Sequence, residues 1–335
     1  MTRLPPLTLA LALAATALPA AAQDAPAPVT PASVVAGAPA SDWRAIDPAD
    51  LLVMTLAPDA AGQPRVVTIQ LIPPPFSQGW VGNIRTLAKA HWWDGTSVYR
   101  VVDNWVTQWG DGEDDAAKAK RLPAGLREVP ESEYTADAPS TVTASGIALY
   151  YQANAGAQSP SLFNGRIVFR GQKSWDYAAY AAGFPYSGSM DPHRSLAWPI
   201  HCYASVGVAR DLSPNTGSGA ELYTVIGHAP RQLDRNIAVV GRVIEGIEHL
   251  SALPRGKGEA GVYSDPTLRV PIVSVRLGDE LPAADQPKFE YLDTDSASFA
   301  RYLEVSANRN DPFYRVPAGG IDICNAKVPI RRVKP

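Results

Sequence analysis

Short runs in which apolar and polar residues alternate, with β-branched side chains prominent, recur along most of this chain. Alternation over residues 51–56 and 66–72 predicts two strands joined by a turn at 58–62, and Pro73-Pro74-Pro75 stops the second. Over 80–91 the spacing changes, because Val81, Ile84, Leu87 and Ala88 recur as on one face of a helix. Residues 98–102 return to alternation, which puts Val98, Arg100 and Val102 on one face of a strand. Further strands are expected at 147–152, 165–170, 206–209, 222–226, 239–243 and 271–277, and a second helix over 245–253. A serine cap and a terminal glycine predict a short helix over 174–183. Residues 112–121 are charged and helix-prone, with a solvated face as the default, and 185–199 read as loop. Beyond 281, helix-like stretches lie within 289–302, and Pro312, Pro317, Gly319-Gly320 and Pro329 predict an irregular remainder that docks on the body.

The chain has 335 residues, 46% of them hydrophobic, enough to bury a substantial core. Its net charge of −3 gives no basic footprint for nucleic acid, and 31 prolines favour turns over long helices. Residues 1–22 read as a secretory signal: Arg3, an apolar run over 7–18, then Ala20-Ala21-Ala22 before Gln23. The run is too short for a membrane span and Pro19 interrupts it, so export to a bacterial periplasm is expected, without stable membrane insertion. Residues 23–40 have the Ala/Pro-rich composition of an extended linker. The folded body is then expected over 41–280, interrupted by an insertion at 112–200 and followed by an extension at 281–335. In an exported protein two thiols favour a disulfide between Cys202 and Cys324; the alternative is two separate buried thiols. His91, His193, His201, His228 and His249 lack metal-ligand spacing, and the loop 215–219 lacks the order of a phosphate cradle.

A lone arginine in a strand more often snorkels to a rim than serves chemistry. Arg100 has company: V-Y-R-V-V-D-N-W-V-T-Q-W-G-D over 98–111 resembles the cyclophilin signature F-H-R-V-I-x-x-F-x-x-Q-G-G-D. The resemblance continues in Val66-Val67-Thr68-Ile69-Gln70-Leu71, Asn83-Ile84-Arg85-Thr86-Leu87, Val208-Ala209-Arg210, Pro214-Asn215-Thr216, Leu233-Asp234 and the run Val239 to Gly246. It implies a mainly β fold, a closed eight-stranded antiparallel barrel capped by two helices. It also implies peptidyl-prolyl cis-trans isomerase activity, with no cofactor or metal, on proline-containing polypeptides by a monomer.

Matched residue by residue, Arg100 becomes the catalytic donor and Gln108 its orienting partner. Trp105, Val106, Tyr223 and Leu233 become the apolar wall for the prolyl ring. Ala209 and Arg210 match the edge that pairs with the substrate chain, and Glu221 stands where the family carries glutamine. The rim departs from the pattern at Tyr99, Trp109, Gln232 and Ile237. Two functions follow: isomerisation of X-Pro bonds in exported proteins, or a chaperone-like module that binds proline-containing segments without turnover.

Overall fold

In the computed structural model the two clearest alternating runs pair with each other. β1 (Leu51–Leu56) lies antiparallel to β2 (Arg65–Leu71), with Leu52 opposite Ile69 and Met54 opposite Val67. Six more strands follow in the chain: β3 (Ser97–Val101), β4 (Val106–Gly110), β5 (Ser205–Val208), β6 (Leu222–Val225), β7 (Val239–Glu245) and β8 (Val270–Leu277). They close a barrel of eight strands in the lateral order β5-β6-β4-β3-β8-β1-β2-β7, every neighbour antiparallel. Eight strands leave an interior just wide enough for side chains to fill. Leu52, Met54, Ile69, Val98, Trp109 and Val240 are among those buried there. The structure describes residues 28–113, 115, 117–137, 161–163, 166–168, 176–191 and 194–333.

Helices α1 (Pro31–Gly37), α2 (Gln78–Lys89), α3 (Glu248–Ser251) and α4 (Ala297–Ala307) accompany the strands. α2 packs Trp80, Val81, Ile84, Leu87 and Ala88 into the barrel core, the face its spacing defined. α3 is shorter than the periodicity over 245–253 implied, because Gly246 at φ +83° precedes it and Pro254 follows. α1 corrects the linker reading of 23–40. Thr30 and Ser33 form a reciprocal capping box, and Val35 and Ala38 pack against buried Trp43 and its neighbours. No described helix is long and apolar enough to cross a membrane.

The insertion differs most from expectation. Residues 176–181 form a strand, not a helix, and Gly183 at φ +82° turns the chain into the next strand. The presumed loop over 185–199 is two strands, Phe184–Asp191 and Arg194–Pro199. With Ala136–Asp137 they make a four-stranded antiparallel sheet outside the barrel. Both faces of this sheet are covered, which explains its apolar residues without a helical period. Ala179, Phe184, Tyr186 and Ala197 join the barrel core, while Tyr180 and Trp198 join a second core with Leu292, Phe299 and Leu303. A short strand at Arg166–Val168 falls within the expected 165–170, whereas 147–152 lies outside the described residues. The described part of 112–121 is turn and coil, not helix.

The tail packs on that insertion sheet, with Tyr180 edge-on to Phe299 at 5.1 Å, and on the barrel as expected, where Phe289 and Ile330 meet Leu51 and Ile244. Its strand Phe289–Leu292 pairs with Trp43–Ala45 on one side and with Ile330–Arg332 on the other, so the helix-like reading of 289–302 splits into a strand and α4. Cys202 and Cys324 are bonded across a sequence separation of 122. Closing so long a loop restricts the unfolded chain, so the double substitution Cys202→Ala/Cys324→Ala is expected to lower stability by about 2–4 kcal/mol. Urea unfolding of the oxidised protein and the variant, compared at equal m, measures it.

Candidate active site

The site begins with strand register. Arg100 on β3 pairs with Gln108 on β4, Gln108 with Tyr223 on β6, and Tyr223 with Gly207 on β5. Side chains in such a row share one face of the sheet. The flanking rows, Val98–Trp109–Leu222–Val208 and Val101–Thr107–Thr224–Val206, are buried and point the other way. Strict alternation had grouped Val98 with Arg100. The pairing slips between them, and Tyr99 is the extra residue of a β-bulge, so Val98 and Val101 enter the core while Arg100 faces the groove.

Tyr99, expected only as a departure at the rim, links the polar groups. Arg100 Nη1 donates to Gln108 Oε1 at 2.7 Å, and Gln108 Nε2 donates to the Tyr99 hydroxyl. That hydroxyl donates to Glu221 Oε2 at 2.8 Å, and Glu221 Oε1 accepts from the Asp111 backbone N–H at 2.8 Å. Every donor therefore runs one way, from the guanidinium to a carboxylate that can only accept. A Cβ at Gly110, whose φ is +148°, would lie 2.1 Å from Glu221 Oε2, so the carboxylate needs glycine there. Burial pushes the Glu221 carboxyl above its usual range, opposed by the Tyr99 and backbone hydrogen bonds. Burial, then the Glu221 charge, pushes the Tyr99 phenol up; burial lowers the Arg100 guanidinium. Arg100 Nε donates to the Ala260 carbonyl at 2.7 Å.

Beside the row lies an apolar cluster of Val106, Tyr223 and Val225, against which Trp105, Ala209, Leu233 and Ile237 pack half-buried. The expected wall residues thus come together, and Ile237 joins them. Trp109 is buried in the barrel and takes no part in the rim, while Gln232 is exposed. An adjoining cavity of about 610 Å³ is lined by Gln108, Ala209, Arg210 and Glu221, and by Arg127 and Val129 of the insertion. Arg210 is tied down, donating to the Asn236 carbonyl from Nε and Nη2 and to the Asp211 carbonyl from Nη1. His201, which its sequence context offered no reason to select, stands behind Tyr223 with Nε2 2.8 Å from the phenol oxygen.

An arginine held by a glutamine at the edge of an apolar pocket on a barrel suits catalysis of amide rotation. The family model described as cyclophilin type peptidyl-prolyl cis-trans isomerase/CLD matches residues 79–277. The chain belongs to this family and is a cyclophilin-type peptidyl-prolyl cis-trans isomerase. It is similar in fold to the crystal structure of the cyclophilin AquaCyp293 from Hirschia baltica. That likeness has a TM-score of 0.61 at 22% identity, covering 91% of this chain and 98% of that one. A Cryptosporidium parvum cyclophilin type isomerase, crystallised with the dipeptide Ala-Pro, matches at a TM-score of 0.35 and 10% identity over 67% of this chain and 98% of its own. No curated protein sequence matches the chain.

The raised Glu221 carboxyl makes stability depend on pH. A group whose folded pKa lies above its unfolded value contributes stability at low pH that is lost as pH rises through the folded value. Glu221→Gln removes the ionisation and adds an offset that does not change with pH. The melting temperature of the variant minus that of wild type is therefore expected to increase steadily from about pH 4 to about pH 7. Calorimetric scans across that range measure the slope, and a flat difference would contradict a raised Glu221.

Proposed function

We propose that the chain isomerises X-Pro bonds of exported proteins, using Arg100 as donor to the twisted amide. The observation that carries this reading is the Arg100–Gln108 pair, in one row with Tyr223 and beside the apolar cluster. Rotation about an X-Pro bond crosses a barrier of about 18–20 kcal/mol because the C–N bond is partly double. A catalyst needs to hold the ring and favour the twisted amide over both planar forms. On twisting, the proline nitrogen recovers a lone pair, which a guanidinium beside it stabilises. Nη1 and Nε of Arg100 are engaged by Gln108 and Ala260, and Nη2 makes no hydrogen bond among the described residues, so it is the donor available to substrate. Trp105, Val106, Tyr223 and Leu233 then seat the prolyl ring, and Ala209 and Arg210 border the peptide chain. Export rests on the signal-like residues 1–22, outside the described residues; the disulfide supports an oxidising compartment.

Arg100→Ala is expected to slow isomerisation about a hundredfold, the cost of one preorganised donor. Peptide affinity should fall much less, because ground-state binding rests on the apolar wall. Arg100→Lys should recover only part of the rate, since lysine restores charge without the planar fork. A protease-coupled assay on a short X-Pro peptide, with calorimetric binding, reads both quantities. Wild type that binds such peptides yet isomerises no faster than Arg100→Ala would leave the chaperone-like module standing instead.

A further inference from the structure

The wall of the prolyl pocket is backed by a buried polar line that the chemistry of Arg100 does not use. His201 is fully buried, and its Nδ1 lies 2.9 Å from Asp234 Oδ1. A carboxylate can only accept, so Nδ1 carries the proton and donates to Asp234. Nε2 is then the acceptor in a neutral ring and receives the Tyr223 O–H at 2.8 Å. The two ring planes are nearly parallel, 10° apart. Asp234 is fixed in turn. Its Oδ1 also accepts the His201 backbone N–H at 2.9 Å, and its Oδ2 accepts from Arg231 Nε. Arg231 Nη2 reaches Ser187 Oγ in the insertion at 3.0 Å.

The other side of the phenol is shaped by an absence. Gly207 is the row partner of Tyr223, and a Cβ there would lie 2.3 Å from Tyr223 Cζ and 2.4 Å from its oxygen. The ring end therefore occupies space that any other residue at 207 would fill. Tyr223 also stays 4% exposed although it carries a hydroxyl in an apolar cluster. A hydroxyl free to turn toward the pocket would draw in water and disfavour a prolyl ring.

We propose that His201, oriented by Asp234, is a positioning residue that ties back the Tyr223 hydroxyl so that only the ring forms the pocket wall. It thereby sets the affinity of the pocket for the prolyl ring. This rests on the reading that Tyr223 walls that pocket. The tether acts on planar and twisted substrate alike, so its loss raises KM and leaves kcat nearly unchanged.

Two amides divide the functions of the imidazole. The short side chain of asparagine can replace the Nδ1 donor to Asp234, whereas the longer glutamine can reach Tyr223 in place of Nε2. His201→Asn is expected to raise KM for an X-Pro peptide about tenfold, with kcat within about twofold. His201→Gln is expected to recover most of the affinity. Tyr223→Phe removes the hydroxyl itself, so nothing is left to turn toward the pocket, and His201→Asn should raise KM no further in that background. If His201→Asn does not fold, Asp234→Asn, which loosens the imidazole from its orienter, is compared in its place with and without Tyr223→Phe. Equal KM values for the asparagine and glutamine variants would overturn the proposal. So would a further rise in KM when His201→Asn is added to Tyr223→Phe. Peptide Kd is measured for every variant. If wild type binds but does not isomerise, the catalytic reading fails by itself and the Kd series still decides the role of His201.

Discussion

Arg100, Gln108, Tyr223 and Gly207 stand side by side because the hydrogen-bond ladders of β3, β4, β6 and β5 hold them in one row. A slip of one residue in any ladder would exchange the outward and inward faces of that strand. The bulge at Tyr99 sets the phase, since without it Arg100 would share a face with buried Val98. It also supplies the phenol that passes hydrogen bonds from Gln108 to Glu221. One irregularity in one strand thus places the guanidinium in the groove and gives its partner chain a terminus.

The barrel was legible because its strands alternate and its plug helix has a clean apolar face, as in Ile84 and Leu87. The apolar half of the site was legible through the signature, since Trp105, Val106, Tyr223 and Leu233 meet in one cluster. What stayed hidden depended on tertiary pairing. The strands 176–181, 184–191 and 194–199 carry alanine, tyrosine and proline on a sheet covered on both faces, so neither a polar face nor a strand-like period marks them. Residues 31–37 looked like linker because an alanine-rich stretch gains its helix from a cap and from packing. His201 and Asp234 lie 33 positions apart, and only the fold brings them behind the pocket.

The insertion and the tail are braces as much as appendages. Arg231 connects Asp234 to Ser187 in the insertion, and the residue after His201 is Cys202, bonded to Cys324 in the tail. Tyr180 of the insertion donates to the Ala326 carbonyl at 2.6 Å, which joins the two additions to each other. The back of the pocket is therefore held by segments from three distant parts of the chain, while its front is held by the barrel ladders. The polar line behind Tyr223 is where those two supports meet.

Strand β8 lies between β1 and β3, although it is made long after both. While a ribosome extends the chain, β1 and β3 each present an unpaired ladder edge until Val270–Leu277 emerges. Such edges invite pairing with other chains. Barrel closure is thus a late event of synthesis, and the bond to Cys324 comes later still. A nascent copy of this isomerase must keep its own edges apart from its neighbours' before it has a groove to offer them.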